Sequence, residues 1–312
     1  MHALAVILDG PERLGLDRLA LDAPGPADAV VEVAWSGIST GTERLLWSGR
    51  MPDFPGMGYP LVPGYESVGR VVEAGPESGR RPGETVFVPG ARCFGPVRGL
   101  FGGAASHLVV EGARLLPIDA ALGERGILLA LAATAYHALA GAERGERHLV
   151  VGHGVLGRLL ARLARLSGQD PVVWERDPAR RGGEHGYPVL DPAADETGRY
   201  ARITDASGDA GLLDGLIARL APGGEVVLAG FYEAPLSFAF PPAFLREARL
   251  RVSAQWRPGD LDAVAGLVRA GALGLDGLIS HRRPAAQAAS AYRTALTDPA
   301  CLKMVLDWRA RS

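Results

Sequence analysis

The sequence predicts an α/β protein of two parts, a partly open β-barrel followed by a doubly wound parallel sheet. Three observations carry this. Residues 1–120 are filled with short β-like runs broken by Gly and Pro, the pattern of a compact all-β unit with long loops. From about residue 121 strand-like and helix-like segments alternate, which is how parallel sheets are built. Within that half, a short strand-like run ending in Leu149-Val150-Val151 enters Gly152-x-Gly154-x-x-Gly157 and a helical pattern follows.

In chain order, strands are expected at Ala3–Leu8, Ala29–Trp35, Ser67–Glu73, Glu84–Pro89 and His107–Val110. Between the second and third lies a long loop, 40–63, carrying Trp47, Met51, Phe54, Met57 and Tyr59. A loop of that length is usually functional or disordered, and its apolar content argues against disorder. Leu122–Gly141 has Ile127, Leu128, Leu131, Ala135 and Leu139 at helical spacing. The second half then reads as strand 148–152, helix 158–167, strand 171–175, a weakly patterned helix at 178–184 and a short strand near Val189. A helix at Leu212–Leu220 and a strand at Glu225–Gly230 follow, then a strand at Leu250–Ala254 and a helix at Asp260–Ala270. The tail carries a strand at Leu278–His281, a helix at Pro284–Leu296 and a last strand at Lys303–Leu306. The strand Leu250–Ala254 alternates apolar residues with Arg251 and Ser253, as a sheet edge does, and an edge invites a homodimer across a two-fold axis.

The glycine motif has a physical logic. Gly152 permits a tight turn, Gly154 lets backbone approach a pyrophosphate, and Gly157 lets helix and strand pack closely. The N-terminus of the helix that follows, reached through His153, Val155 and Leu156 of the turn, offers unpaired N–H groups and the positive end of its dipole to phosphates. About 20 residues on, the second strand ends at Glu175, where a carboxylate would hold a ribose diol. This is a Rossmann-type dinucleotide site. Glu175 repels a 2′-phosphate and favours NAD, while the neighbouring Arg176 is either a 2′-phosphate partner or one solvated charge in a charged run.

Composition excludes other classes. With 33 basic against 35 acidic residues, no charge excess points to nucleic acid. Cys93 and Cys301 are too few for a disulfide framework and suit a reducing cytoplasm. No apolar run reaches the ~20 residues of a membrane helix, and no signal peptide is evident. Lys303 is the single lysine in an Arg-rich chain, which reads as genomic base composition.

Several stretches resemble the medium-chain dehydrogenase/reductase family across the whole chain. They are Ser36–Glu43 (SGISTGTE), Val62–Gly69 (VPGYESVG), Thr134–Leu139 (TAYHAL), the glycine motif and Pro222–Gly230 (PGGEVVLAG). The resemblance implies a GroES-like catalytic domain from residues 1–120 and 271–312, and a Rossmann domain from 121–270. It also places Thr134 and Gly230 beside the cofactor. Zinc-dependent members hold their metal with two cysteines and a histidine. Here those positions are Ser39, Tyr65 and Ala130, a hydroxyl, a phenol and a methyl. Glu66 alone cannot hold zinc, so no metal is expected. Three loop stretches, 35–49, 54–69 and 86–103, narrow the resemblance to a zinc-free branch acting on a hydroxyethyl group of a tetrapyrrole.

Without zinc, hydrogen-bond donors must stabilise the developing alkoxide and a positioned group must take the proton. In the family the vacated positions face the nicotinamide, so Tyr65 is a candidate donor or relay, the alternative being packing into the empty metal site. Ser39 and Thr42 are candidates for an outward relay or for local backbone bonding. Glu66 is a candidate base if burial raises its pKa, or a structural acid. Glu43 either anchors its loop or is exposed. His107 and His137 read as structural, and His153 acts through its backbone. The loop 47–59 with Phe94 and Phe101 suits a broad flat macrocycle, or fills the barrel core or a dimer contact. A zinc-independent NADPH quinone or enone reductase and a non-catalytic cofactor-binding relative remain open readings.

Overall fold

The computed structural model describes residues 1–309 apart from 54, 197 and 258. The chain divides into two compact units, Met1–Ala130 with Leu275–Ser312, and Leu131–Gly274.

The first unit is the expected open barrel. Its larger sheet runs His281–Pro284, Met304–Asp307, Asp28–Ile38, Ser67–Ala74, Thr85–Val88 and Leu116–Pro117, with His107–Glu111 also paired to Asp28–Ile38. Val31, Val33, Val86, Leu108 and Phe94 lie in its core. A smaller sheet joins Arg13–Ala20, His2–Gly10, Leu61–Val62 and Arg98–Gly99. The strand Arg13–Ala20 escapes the sequence reading because it is largely exposed, so its apolar alternation is weak. It is fixed by pairing with His2–Gly10, from His2 opposite Ala20 onward.

The expected loop 40–63 is corrected in part. It contains a short helix, Thr42–Ser48, ended by Gly49 at φ 71°, the left-handed conformation that glycine reaches without strain. The expected helix Leu122–Gly141 is likewise split. Gly123 breaks it at φ 54°, so Ala120–Leu128 is 3₁₀ and only Leu129–Ala138 is α-helix. The tail strand moves to His281–Pro284, and the following helix starts at Ala288 and runs to Thr297.

The second unit has six parallel strands in the order Val189–Leu190, Asp170–Trp174, Arg147–Val151, Tyr200–Asp205, Leu220–Leu228, Arg249–Val252. Numbered along the chain this is 3-2-1-4-5-6, the Rossmann order. The chain reverses direction across the sheet between Arg147–Val151 and Tyr200–Asp205. Such switch points are where ligands bind, outside the carboxyl ends of the strands. The helix Val155–Leu166 starts three residues earlier than its apolar spacing suggests and buries Val155, Gly157, Leu159, Leu160 and Leu163. The expected helix 178–184 is absent. Pro178 opens a single 3₁₀ turn, and Gly183 and Gly186 take positive φ.

The strand Tyr200–Asp205 has no counterpart in the sequence reading. Its centre is Arg202, a residue that belongs inside only when paired. Here Arg202 is paired three ways, with Glu146 at 3.1 Å, Glu225 at 2.5 Å and the Gly141 carbonyl at 2.8 Å. Arg249–Val252 lies at the sheet edge, as expected. Among the described residues no helix is long and apolar enough to cross a membrane.

Candidate active site

In the second unit, the three glycines of the motif are required for three separate reasons. Gly152 has φ 96°, which only glycine adopts freely. Gly154 caps the helix in extended conformation with no side chain bonded to the cap, leaving the first-turn N–H groups facing outward. A Cβ on Gly157 would stand 1.8 Å from the Gly152 carbonyl oxygen, so only glycine lets the helix approach the strand. This cradle fits a pyrophosphate.

Glu175 follows the strand Asp170–Trp174. Its carboxylate accepts from the His153 N–H at 3.0 Å and the Asp177 N–H at 2.9 Å, so it is anchored to the glycine turn. Arg176 is mostly exposed, 3.8 Å from Asp209. The His153 ring is buried and turned away from the turn. Its Nδ1–H donates to the Arg180 carbonyl at 2.7 Å and its Nε2 meets the Tyr187 hydroxyl at 3.2 Å. Burial pushes this imidazole down to about 4 and keeps it neutral. The ring thus ties the motif to the segment that replaces the expected helix. Thr134 is half-buried on Leu129–Ala138. Gly230 donates to the Asp205 carbonyl at 2.9 Å, and a Cβ there would come within 2.7 Å of Gly208 N. Asp205 ends the strand Tyr200–Asp205 and carries no sequence mark of its own. It accepts from Ser207 N at 2.8 Å and the Tyr232 hydroxyl at 2.7 Å, and so stiffens the loop packed against Gly152. His137 pairs with Asp260 at 3.0 Å, and His107 contacts the adjacent Ser106.

In the first unit, the chain brings Ser39, Thr42, Glu43, Tyr65 and Glu66 together. The Tyr65 hydroxyl lies 2.5 Å from Ser39 Oγ, with Thr42 also bonded to it. Its ring meets Phe101 edge-on at 5.2 Å. Burial, and then the nearby Glu66 charge, hold the phenol well above its ordinary pKa. Tyr65 therefore stays protonated and is a hydrogen-bond donor, not a phenolate base. Ala130 is fully buried. Among the described residues no three His, Cys, Asp or Glu side chains are placed to hold a metal.

Two residues far along the chain complete the cluster. Glu66 is buried against Lys303, itself almost fully buried, and the two form an ion pair. Burial raises the Glu66 pKa, while Lys303 and the adjacent Ser39 hydroxyl pull it down. Glu43 is also fully buried. It accepts from Ser39 N at 2.9 Å and from the Tyr292 hydroxyl at 2.6 Å, so it anchors the Ser39 turn as one of its two expected roles. No sequence signal marks Lys303 or Tyr292, because a lone residue with a distant partner has no spacing to read.

Burial pushes the Glu43 carboxyl from 4.5 to about 7. An acid raised on folding makes the fold less stable as pH climbs from the unfolded to the folded pKa, here from about 4.5 to about 7. At ~1.4 kcal/mol per tenfold change in proton affinity, this is on the order of 3 kcal/mol. Glu43→Gln should remove the Glu43 share of the decline in urea midpoint across that window, leaving that of Glu66 and Asp205. Identical pH slopes for the two proteins would show that Glu43 takes up no proton on folding.

The apolar loop divides. Phe94 is buried in the barrel core, one of the alternatives the sequence leaves for it. Trp47, Met51, Met57, Tyr59 and Phe101 are only half-buried, over Leu8, Leu46, Leu61 and Leu100. Phe54 lies outside the described residues. The half-buried set is contiguous with Tyr65 through Phe101.

Residues 25–120 match the alcohol dehydrogenase GroES-like domain. Together with the second unit's Rossmann order, this defines the class: the chain belongs to the medium-chain dehydrogenase/reductase family. It is 59% identical, over 99% of both chains, to the 2-desacetyl-2-hydroxyethyl bacteriochlorophyllide A dehydrogenase of Rhodobacter capsulatus, and 58% identical, again over 99% of both, to the enzyme of that name from Cereibacter sphaeroides. Among solved structures, L-idonate 5-dehydrogenase of Escherichia coli superposes with a TM-score of 0.86 at 21% identity over 99% of both chains. An alcohol dehydrogenase of Escherichia coli complexed with NADH gives 0.85 at 20%, over 98% of this chain and 99% of that one.

Proposed function

We propose that this protein oxidises the 3-(1-hydroxyethyl) group of a bacteriochlorophyllide to 3-acetyl, with NAD as hydride acceptor and without zinc. The observation that carries the reading is the Tyr65–Ser39 pair, a protonated donor standing where zinc-dependent relatives hold metal ligands, in a chain 59% identical to an enzyme named for this substrate. NAD, when bound, supplies the hydride acceptor. Gly152, Gly154 and Gly157 with the N–H groups of Val155 and Leu156 hold its pyrophosphate, and Glu175 its ribose diol, with Thr134 and Gly230 beside it. Tyr65 hydrogen-bonds the substrate hydroxyl and stabilises its oxygen as negative charge develops there, and Ser39 and Thr42 hold the phenol in place. The half-buried Trp47, Met51, Met57, Tyr59 and Phe101 give a flat macrocycle an apolar face. Two buried cysteines, too few for a disulfide framework, fit a reducing cytoplasm.

The direct test is turnover. Purified protein with NAD and the hydroxyethyl macrocycle should form NADH and the acetyl product in equal amounts, at a rate unchanged by chelators. About one zinc per chain, lost together with activity, would sink the metal-free reading, and no turnover would sink the substrate.

The homodimer belongs to the same proposal. Phe240, Phe244 and Leu245, just before the edge strand Arg249–Val252, and Val252 on it are 65–78% exposed. Large apolar side chains clustered at an open edge mark an interface, and edge-to-edge pairing with a second copy satisfies both. Light scattering should give twice 32.7 kDa, falling to the monomer mass in Val252→Lys. A monomeric wild type at micromolar concentration would refute it.

A further inference from the structure

We infer that the proton released by the alcohol ends on Glu66, by way of Tyr65 and Ser39, and that Lys303 is the positioning residue that keeps Glu66 ionised to receive it. The inference rests on the function proposed above and adds a terminus and a counterion to it.

Four observations support it. Tyr65 and Ser39 are in hydrogen-bond contact. The Glu66 carboxylate stands next in line, beside the Ser39 hydroxyl. Among the described residues neither Glu66 oxygen has a well-formed hydrogen bond, with only the Lys303 ammonium and the Ser39 hydroxyl beside them, so the buried carboxylate has room to accept a proton. Lys303 reaches Glu66 from the start of the last strand, where the Ser280 and His281 N–H groups hold its carbonyl at 3.1 and 3.0 Å. The space between strands is reserved for this pair. A Cβ on Gly37 would fall 2.3 Å from Glu66 Oε2 and 3.2 Å from Lys303 Cε. An ion pair sealed from water is weak evidence for stability, because desolvation offsets its attraction. Its placement at the end of a hydroxyl chain gives it a use.

The step balances. The carbinol C–H bond breaks and its electron pair leaves as hydride to the nicotinamide. The O–H bond breaks and its proton passes to Tyr65 Oη, while the Tyr65 proton passes to Ser39 Oγ and the Ser39 proton to Glu66. The C=O bond forms, and Tyr65 is neutral before and after. Reversing the chain once product has left returns the proton to water. The titratable groups facing Glu66 are Lys303, Tyr65, Glu43 and Tyr292. Of these only Lys303 is a cation.

The test compares Lys303→Met, Lys303→Arg and the double variant Glu66→Gln/Lys303→Met, the last free of an unpaired buried charge. Two readouts are used. The first needs no substrate: infrared pH titration of the protonated-carboxyl band, with Glu66→Gln to assign it. Removing the cation should move the Glu66 transition upward by about 1–3 pH units, while Lys303→Arg keeps it. The second is the acidic limb of kcat/KM for oxidation. It should move up with the band in Lys303→Met, stay put in Lys303→Arg, and disappear in the double variant along with most of kcat. An unmoved band in Lys303→Met overturns the role of Lys303. Wild-type kcat in the double variant overturns Glu66 as the terminus. Failure of the wild type to turn over the macrocycle strikes the proposed function alone, since the infrared result stands without it.

Discussion

Tyr65→Phe should lower kcat for alcohol oxidation by about 10²–10³ while leaving KM and NAD affinity close to wild type. The size follows from what a single donor to a developing oxyanion contributes inside a water-excluded site. The substitution removes one hydroxyl and keeps the ring, so the edge-on contact with Phe101 persists and the loop is not expected to collapse. NAD affinity is spared because the glycine cradle and Glu175 belong to the other unit. The split between kcat and KM is the diagnostic part. Ground-state packing would raise KM, whereas a bond made chiefly in the transition state lowers kcat. A variant whose kcat stays within threefold of wild type would show that the phenol does not touch the reacting oxygen, and Ser39 would then be the donor to examine.

Glu175→Ala should weaken NAD by roughly tenfold to a hundredfold, since bonds to a charged acceptor contribute about 1.5–3 kcal/mol. The structure adds a component invisible in the sequence. The same carboxylate accepts from His153 N and Asp177 N, so truncating it loosens the glycine turn as well as the ribose site. Glu175→Gln separates the two. It retains an acceptor for the turn but lowers the charge seen by the diol, so its loss should be smaller. NADP should gain relative to NAD in both variants, because Arg176 is mostly exposed and its 3.8 Å ion pair with Asp209 is weak enough to be exchanged for a 2′-phosphate. An unchanged NADP-to-NAD ratio would remove Glu175 from the ribose.

What the sequence made legible is what local sterics dictate. Gly152 and Gly157 are required by a dihedral angle and by a carbonyl at 1.8 Å, and each leaves its mark at a fixed spacing. The barrel strands show because their inward residues alternate. The strand Tyr200–Asp205 did not show, because its centre is a buried arginine whose three partners come from elsewhere in the chain. The helix wrongly expected at 178–184 had charge but no apolar face to bury, and its glycines prevailed. In the site, Ser39, Thr42, Tyr65 and Glu66 could be named because they occupy positions with a known precedent. Lys303 and Tyr292 could not, since each meets its carboxylate through tertiary folding alone, Tyr292 across 249 residues.

The burial of Lys303 has a practical side. It is the only lysine in the chain. The folded protein thus presents no side-chain amine to acylating reagents, and its surface cannot be cross-linked, immobilised or tagged by lysine chemistry. A reagent that does acylate Lys303 has reached it through an opening of the strand Met304–Asp307 away from Asp28–Ile38. The rate of that modification, read by peptide mass so that the N-terminal amine is told apart, becomes a built-in clock for how often this corner of the barrel comes apart.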